Sequence, residues 1–127
     1  MKKQIKIVNS NNAPKAIGPY SQAVIFDNLI FCSGQIGIDP KTNSLVEGIE
    51  NQTKQILNNI KNILQEANSS LENVLKTTIF LTDINHFSIV NKIYEDFFKN
   101  HKPARSTVTV AKLPKDALIE IEVIAVK

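Results

Sequence analysis

A chain of 127 residues with 43% hydrophobic content lies in the single-domain range and can bury a continuous core, so residues 1–127 read as one domain. The formal charge is +3 with no basic tail or block, which argues against nucleic acid as the main partner, although a pI near 9.0 keeps that class open. One cysteine excludes an internal disulfide, and Cys32 with only His86 and His101 does not readily assemble structural zinc, so no metal or cofactor is expected.

Lys2 and Lys3 are followed by no apolar stretch of signal-peptide length and nothing later approaches a membrane span, which makes cytoplasmic residence without membrane contact the default expectation. Gln4 to Val8 reads as a first strand. Ala23 to Phe26 and Leu29 to Ser33 read as a hairpin turning at Asp27 and Asn28. Cys32 sits in the apolar run of its second arm and reads as a small core residue rather than a nucleophile. Two loops flank this hairpin. In IGPYSQAV, Gly18 and Pro19 fix the chain before Tyr20; in FCSGQIGID, Gly34 and Gly37 permit positive φ or a close backbone approach after Ser33. No GxxxxGK pattern follows and no helix starts directly after Gly34, so this is not a phosphate loop.

Ile49, Ile56, Leu57, Ile60, Ile63, Leu64 and Ala67 form the apolar stripe of a long helix. A strand follows at Val74 to Leu81, then a second helix from about Asn85 to Asn100 with Phe87, Val90, Ile93, Tyr94, Phe97 and Phe98 inward, closed by Lys102 and Pro103. That aromatic stripe has the spacing of packing against a sheet rather than of a ligand platform, and the flanking histidines read as helix-end or surface groups. The last strands are Ser106 to Val110 and Leu118 to Val126.

Two charges interrupt this last quarter. Arg105 stands at a strand entrance just after Pro103, where its planar fork of donors suits a small carboxylate; a surface salt bridge is the alternative. In the final strand Ile119, Ile121, Val123 and Ala125 make one apolar face, and Glu120 and Glu122 share the other with Leu118, Ile124 and Val126. A carboxylate on such a covered face must be paired, solvated in a pocket or neutral, and periodicity leaves open which glutamate is catalytic or whether both mark a wet edge.

The element order is three strands, helix, strand, helix, two strands, which fits an α+β architecture with two helices on one face of a sheet. The other face then meets solvent or another subunit, and its apolar character favours an oligomer.

The order and wording of GPYSQA, SGQIG, the Asn91 and Tyr94 pair in VNKIYEDFF, and PARST followed by LPKDALIEIEVIAV resemble the RidA/YjgF family of small imine and enamine deaminases over nearly the whole chain. The resemblance implies a fold like that of bacterial αβ-type chorismate mutase: a mixed sheet with two helices on one face, closed into a homotrimer with sites between subunits. It implies that Arg105 holds the substrate carboxylate, that Glu120 positions or activates water, and that Tyr20, Ser33, Gly34 and Asn91 line or support the cleft. Thr107 would offer backbone and hydroxyl contacts where many bacterial members carry cysteine, and Glu122 would be structural. The implied activity is cofactor-free hydrolysis of 2-imino acids and their enamine tautomers, such as 2-iminobutanoate and 2-iminopropanoate, to 2-oxo acids and ammonia. The competing class is a non-catalytic ligand- or RNA-interacting protein of the same fold, described as ribonuclease, translation inhibitor or chaperone-like factor, since fold alone does not choose. A nucleic-acid role would require a basic stripe with exposed aromatics, and most aromatics here are assigned to the core.

Overall fold

Period-two alternation in six runs builds one mixed sheet, and two amphipathic helices cover one of its faces. The computed structural model describes residues 4–127; Lys2 and Lys3 lie outside the described residues. The strands are β1 (Ile5–Val8), β2 (Ala23–Phe26), β3 (Leu29–Gln35), β6 (Val74–Leu81), β7 (Ala104–Thr109) and β8 (Ile119–Val126), in the spatial order β1-β2-β3-β8-β6-β7. A separate hairpin pairs β4 (Ile38–Asp39) with β5 (Ser44–Leu45). The helices are α1 (Ile49–Glu66) and α2 (Phe87–Phe98).

Neighbouring strands run antiparallel except β6 and β7, which are parallel and joined by α2 as the crossover. Asp27 takes φ 54° in the two-residue turn between β2 and β3, as the Asp-Asn pair predicts. β1 opens at Ile5 rather than Gln4, and β8 at Ile119 rather than Leu118. β7 begins at Ala104 and ends at Thr109, so Arg105 lies inside the strand and not at its entrance. Parallel pairing with β6 draws in the two residues after Pro103.

The expected arrangement of helices on one face is what the register produces. Ala23, Cys32, Val123, Thr77 and Arg105 form one cross-strand row on the helix-covered face. The four that precede Arg105 in this row are buried. α1 adds Ile56, Leu57, Ile60, Ile63 and Leu64, all at 0% exposure, each contributing on the order of 2 kcal/mol of apolar burial. α2 adds Val90, Ile93, Tyr94 and Phe98. It starts at Phe87, two residues later than expected, because Asp83 accepts a hydrogen bond from the Asn85 amide (2.9 Å) and sets a 3-10 turn over Ile84–His86 first. It stops at Lys99, which has φ 57°.

Of the helix-end or surface roles expected for His101, the structure shows the first. The residue is half-buried, and its Nε2–H donates to the Val74 carbonyl at 2.6 Å, tying the chain after α2 to the start of β6. The opposite face of the sheet carries the row Ile7, Val24, Phe31 and Ile124. Phe31 is exposed there, an aromatic outside the core, and Ile5 and Ile7 are about 70% exposed at the edge. This apolar face is the one the sequence assigns to solvent or a second subunit.

Candidate active site

β8 delivers Glu120 through its alternation. Ile119, Ile121, Val123 and Ala125 enter the core, which forces Glu120 and Glu122 to the other face. Between Cys32 and Gln35 the ladder with β8 is irregular, and Ser33 and Gly34 oppose the single residue Glu122. This bulge brings Gly34 against Glu120: a Cβ at Gly34 would lie 2.8 Å from the Glu120 carboxyl carbon and collide with its oxygen. A side chain there would push the carboxylate aside, so the glycine leaves free the space that the carboxylate occupies.

Glu120 borders a cavity of about 90 Å³ with Tyr20, Gly34, Gln35, Ile17 and Pro114. Burial, and then the nearby Glu122 charge, push its pKa above the ordinary carboxylate value. Tyr20 is half exposed at the same cavity, with its hydroxyl oxygen 3.4 Å from the Ile17 amide. The Ser33 hydroxyl donates to the Ser21 carbonyl at 2.6 Å, and the Ser33 amide donates to the Gln22 carbonyl at 2.9 Å. Ser33 therefore holds the bulge to the preceding loop. Gly37 serves packing, since a Cβ there would lie 2.8 Å from the Gln52 Cα of α1.

The cationic half is built differently. Arg105 is the only arginine among fifteen basic residues, and it ends the buried row that begins at Ala23. Its Nη1 donates to Asn91 Oδ1 at 2.8 Å. The guanidinium carbon lies 5.0 Å from the Tyr94 ring centroid and 5.5 Å from that of Phe87, within cation–π range. Phe87, Asn91 and Tyr94 recur at helical spacing, so α2 presents all three on one stripe. Arg105 remains exposed and opens onto a groove of about 560 Å³ that continues past Lys102, His101 and Lys99. Thr107, two residues on, faces the same side from its row with Ile79 and Ile121. Its hydroxyl oxygen is buried and has no hydrogen-bond partner among the described residues.

Tyr20, Gly34 and Glu120 thus gather at one place, with Ser33 beside them in the bulge, and Asn91 and Arg105 at another. Within one chain the two groups do not meet. Arg105 pairs with Thr77 on the helix face, whereas Glu120 pairs with Phe80 on the opposite face. Their rows are three residues apart along β6, on the order of 10 Å, with another 10 Å across two strand spacings. Sequence reasoning assigned Phe87 and Tyr94 to packing alone, and their contact with Arg105 adds a second role. The signal was their shared stripe with Asn91.

Cys32 is buried, and burial, with Glu122 adding to it, pushes its thiol up to about 12. It stays a neutral core residue, not a nucleophile. Among the described residues no three His, Cys, Asp or Glu side chains gather as a metal site, and no helix is long and apolar enough to cross a membrane.

The endoribonuclease L-PSP family model matches residues 10–127. An archaeal RutC family protein from Pyrococcus horikoshii is 52% identical over 123 residues, covering 96% of this chain and 98% of the relative. The human 2-iminobutanoate/2-iminopropanoate deaminase is 48% identical over 123 residues, covering 96% of this chain and 90% of that protein. The crystal structure of E. coli TdcF with bound serine superposes with a TM-score of 0.93 at 42% identity, covering 96% of this chain and 98% of that one.

Proposed function

The chain belongs to the RidA/YjgF family, and from that premise and its two half-sites we propose that it is a hydrolytic deaminase of 2-imino acids and their enamine tautomers. The observation that carries this reading is the division of labour. One chain offers an exposed guanidinium held by Asn91 and, on the opposite face, a half-buried carboxyl with a raised pKa beside a cavity. A substrate with a carboxylate at one end and an electrophilic C=N carbon next to it needs both. In the proposed homotrimer Arg105 of one subunit and Glu120 of its neighbour face the same cleft, and residues 1–127 act as one domain. The apolar open face of the sheet supports such an assembly.

In this mechanism Arg105 binds the substrate carboxylate through two of its free N–H donors. Water hydrogen-bonded to Glu120 attacks the carbon of the protonated imine, and Glu120 accepts the proton released as the C–O bond forms. The resulting carbinolamine carries nitrogen and hydroxyl on one carbon. Glu120 returns its proton to the nitrogen, the C–N bond breaks as ammonia leaves, and the Glu120 carboxylate takes the hydroxyl proton as the 2-oxo acid forms and passes it to the ammonia. An enamine first takes a proton on its β-carbon to become the same imine. Tyr20, at the cavity beside Glu120, is available to hydrogen-bond the oxygen or nitrogen that exchanges. The addition of water and the loss of ammonia each call for positioning and a proton transfer, the two tasks assigned to Arg105 and Glu120.

The names of the human and Salmonella typhimurium relatives supply the specific candidates 2-iminobutanoate and 2-iminopropanoate. The test is a coupled assay in which an amino-acid oxidase or a dehydratase generates the imine and 2-oxo acid release is timed. Acceleration by this protein supports the reading. An unchanged rate together with RNA binding that falls steeply with salt would replace it with the RNA-directed reading that the family model's description, endoribonuclease, carries.

A further inference from the structure

Arg105 is exposed, yet it is held at several points, and the residues that hold it are themselves fixed. An exposed arginine ordinarily loses rotamer entropy when a ligand immobilises it. Here Asn91 takes one N–H, and the rings of Tyr94 and Phe87 hold the guanidinium carbon at 5.0 and 5.5 Å. Tyr94 is 8% exposed, and its hydroxyl shares a 2.8 Å hydrogen bond with Thr77 Oγ1, which is 0% exposed. Thr77 is the residue directly opposite Arg105 across β6 and β7. The same strand therefore fixes both the backbone of Arg105 and the ring over which its side chain lies. Tyr94 also packs on Phe98 at 4.5 Å between centroids, and the chain after α2 returns to β6 through the 2.6 Å bond from His101 to Val74. The end of α2 is thus pinned to β6 at Val74 and at Thr77.

We propose that Thr77 and Tyr94 are positioning residues for the carboxylate anchor: their buried hydrogen bond locks the phenol ring as a plate on which the Arg105 guanidinium is held in its binding orientation. The inference rests on Arg105 being the carboxylate anchor of the proposed deaminase. A threonine and a tyrosine satisfying one another in the core would produce the bond without this consequence, so the test must read the guanidinium itself.

The chain's single arginine makes that reading direct, because its Nε–Hε gives one side-chain signal in a 15N-correlated spectrum. In the ligand-free wild type this signal is expected to be sharp and displaced by the neighbouring rings. Tyr94→Leu removes the plate and should return it toward the value of a free arginine, while weakening 2-oxobutanoate binding about tenfold. Tyr94→Phe keeps the ring but deletes its bond to Thr77, so the signal should broaden and affinity should fall about threefold. Thr77→Val should broaden the signal and cost about threefold in affinity. If Tyr94→Leu does not fold, the Thr77→Val and Tyr94→Phe pair decides, and an unchanged signal and affinity in both overturns the proposal. An unchanged signal and affinity in folded Tyr94→Leu overturns it equally. If imine turnover depends on Arg105 but not on Tyr94 or Thr77, this inference fails and the deaminase reading stands. If the signal moves as expected while the wild type neither binds oxo acid nor hydrolyses imines, the cradle stands and the deaminase reading fails.

Discussion

The two halves of the site are made by different means. Around Glu120 the backbone does the shaping: a bulge in β3, a glycine whose missing Cβ leaves the carboxylate its place, and a serine bound to the preceding loop. Around Arg105 the side chains of α2 do it, with an amide acceptor and two aromatic rings holding a cation on an exposed edge strand. In the proposed reaction the carboxyl that would move a proton is half-buried, where its pKa rises, and the cation that would anchor the substrate is exposed. The contrast separates chemistry from anchoring.

Glu120→Gln tests the chemical half and should have the largest effect, a loss of about 10²-fold or more in kcat with oxo-acid affinity nearly kept, measured by steady-state kinetics and calorimetry. Loss of affinity with kcat retained would move Glu120 to the anchoring half. Arg105→Ala should cost about 10²-fold in kcat/KM for carboxylate-bearing imines, with the thermal midpoint within about 2 °C of wild type, because an exposed side chain is removed. Unchanged turnover would remove the anchor.

Gly34→Ala sharpens the backbone side. Its new Cβ would displace the Glu120 carboxyl, so kcat should fall about tenfold or more while Arg105 and its ring contacts remain in place. Equal loss of oxo-acid affinity would mean that the halves are not separable. A smaller effect concerns stability against pH. With the folded pKa of Glu120 raised, the fold favours the protonated form, so the ionised carboxylate costs stability above that pKa and the cost vanishes as pH falls below the unfolded value. Glu120→Gln should therefore be modestly more stable than wild type at neutral pH, with the difference closing on acidification. A gap that widens on acidification would reverse the assigned shift. The smallest effect is expected from Cys32→Ala, with turnover within about twofold of wild type, since the thiol is buried and neutral.

Much of the fold was legible because alternation and helical stripes are local. The six main strands and both helices followed from them, as did the inward and outward faces of β8. The β4–β5 hairpin was not legible, because two-residue strands carry no period. The bulge at Ser33 and Gly34 was read only as glycine permissiveness, since the residue that fills the space, Glu120, is far off in sequence. Arg105 and Glu120 were both singled out, but their opposite faces depend on how β6 aligns with β7 and β8, and no window of sequence contains that register. Thr77 escaped notice for a related reason: a threonine in a strand is ordinary until a tyrosine from α2 reaches it.

The central claim is that a working site takes Arg105 from one chain and Glu120 from another. The most direct measurement mixes equal amounts of Arg105→Ala and Glu120→Gln proteins, exchanges subunits by unfolding and refolding together, and records imine hydrolysis. Random assembly of trimers makes roughly three quarters of them mixed, each with one intact site in three, so about a quarter of wild-type activity should return. Activity no greater than the mean of the two parents would contradict a shared site.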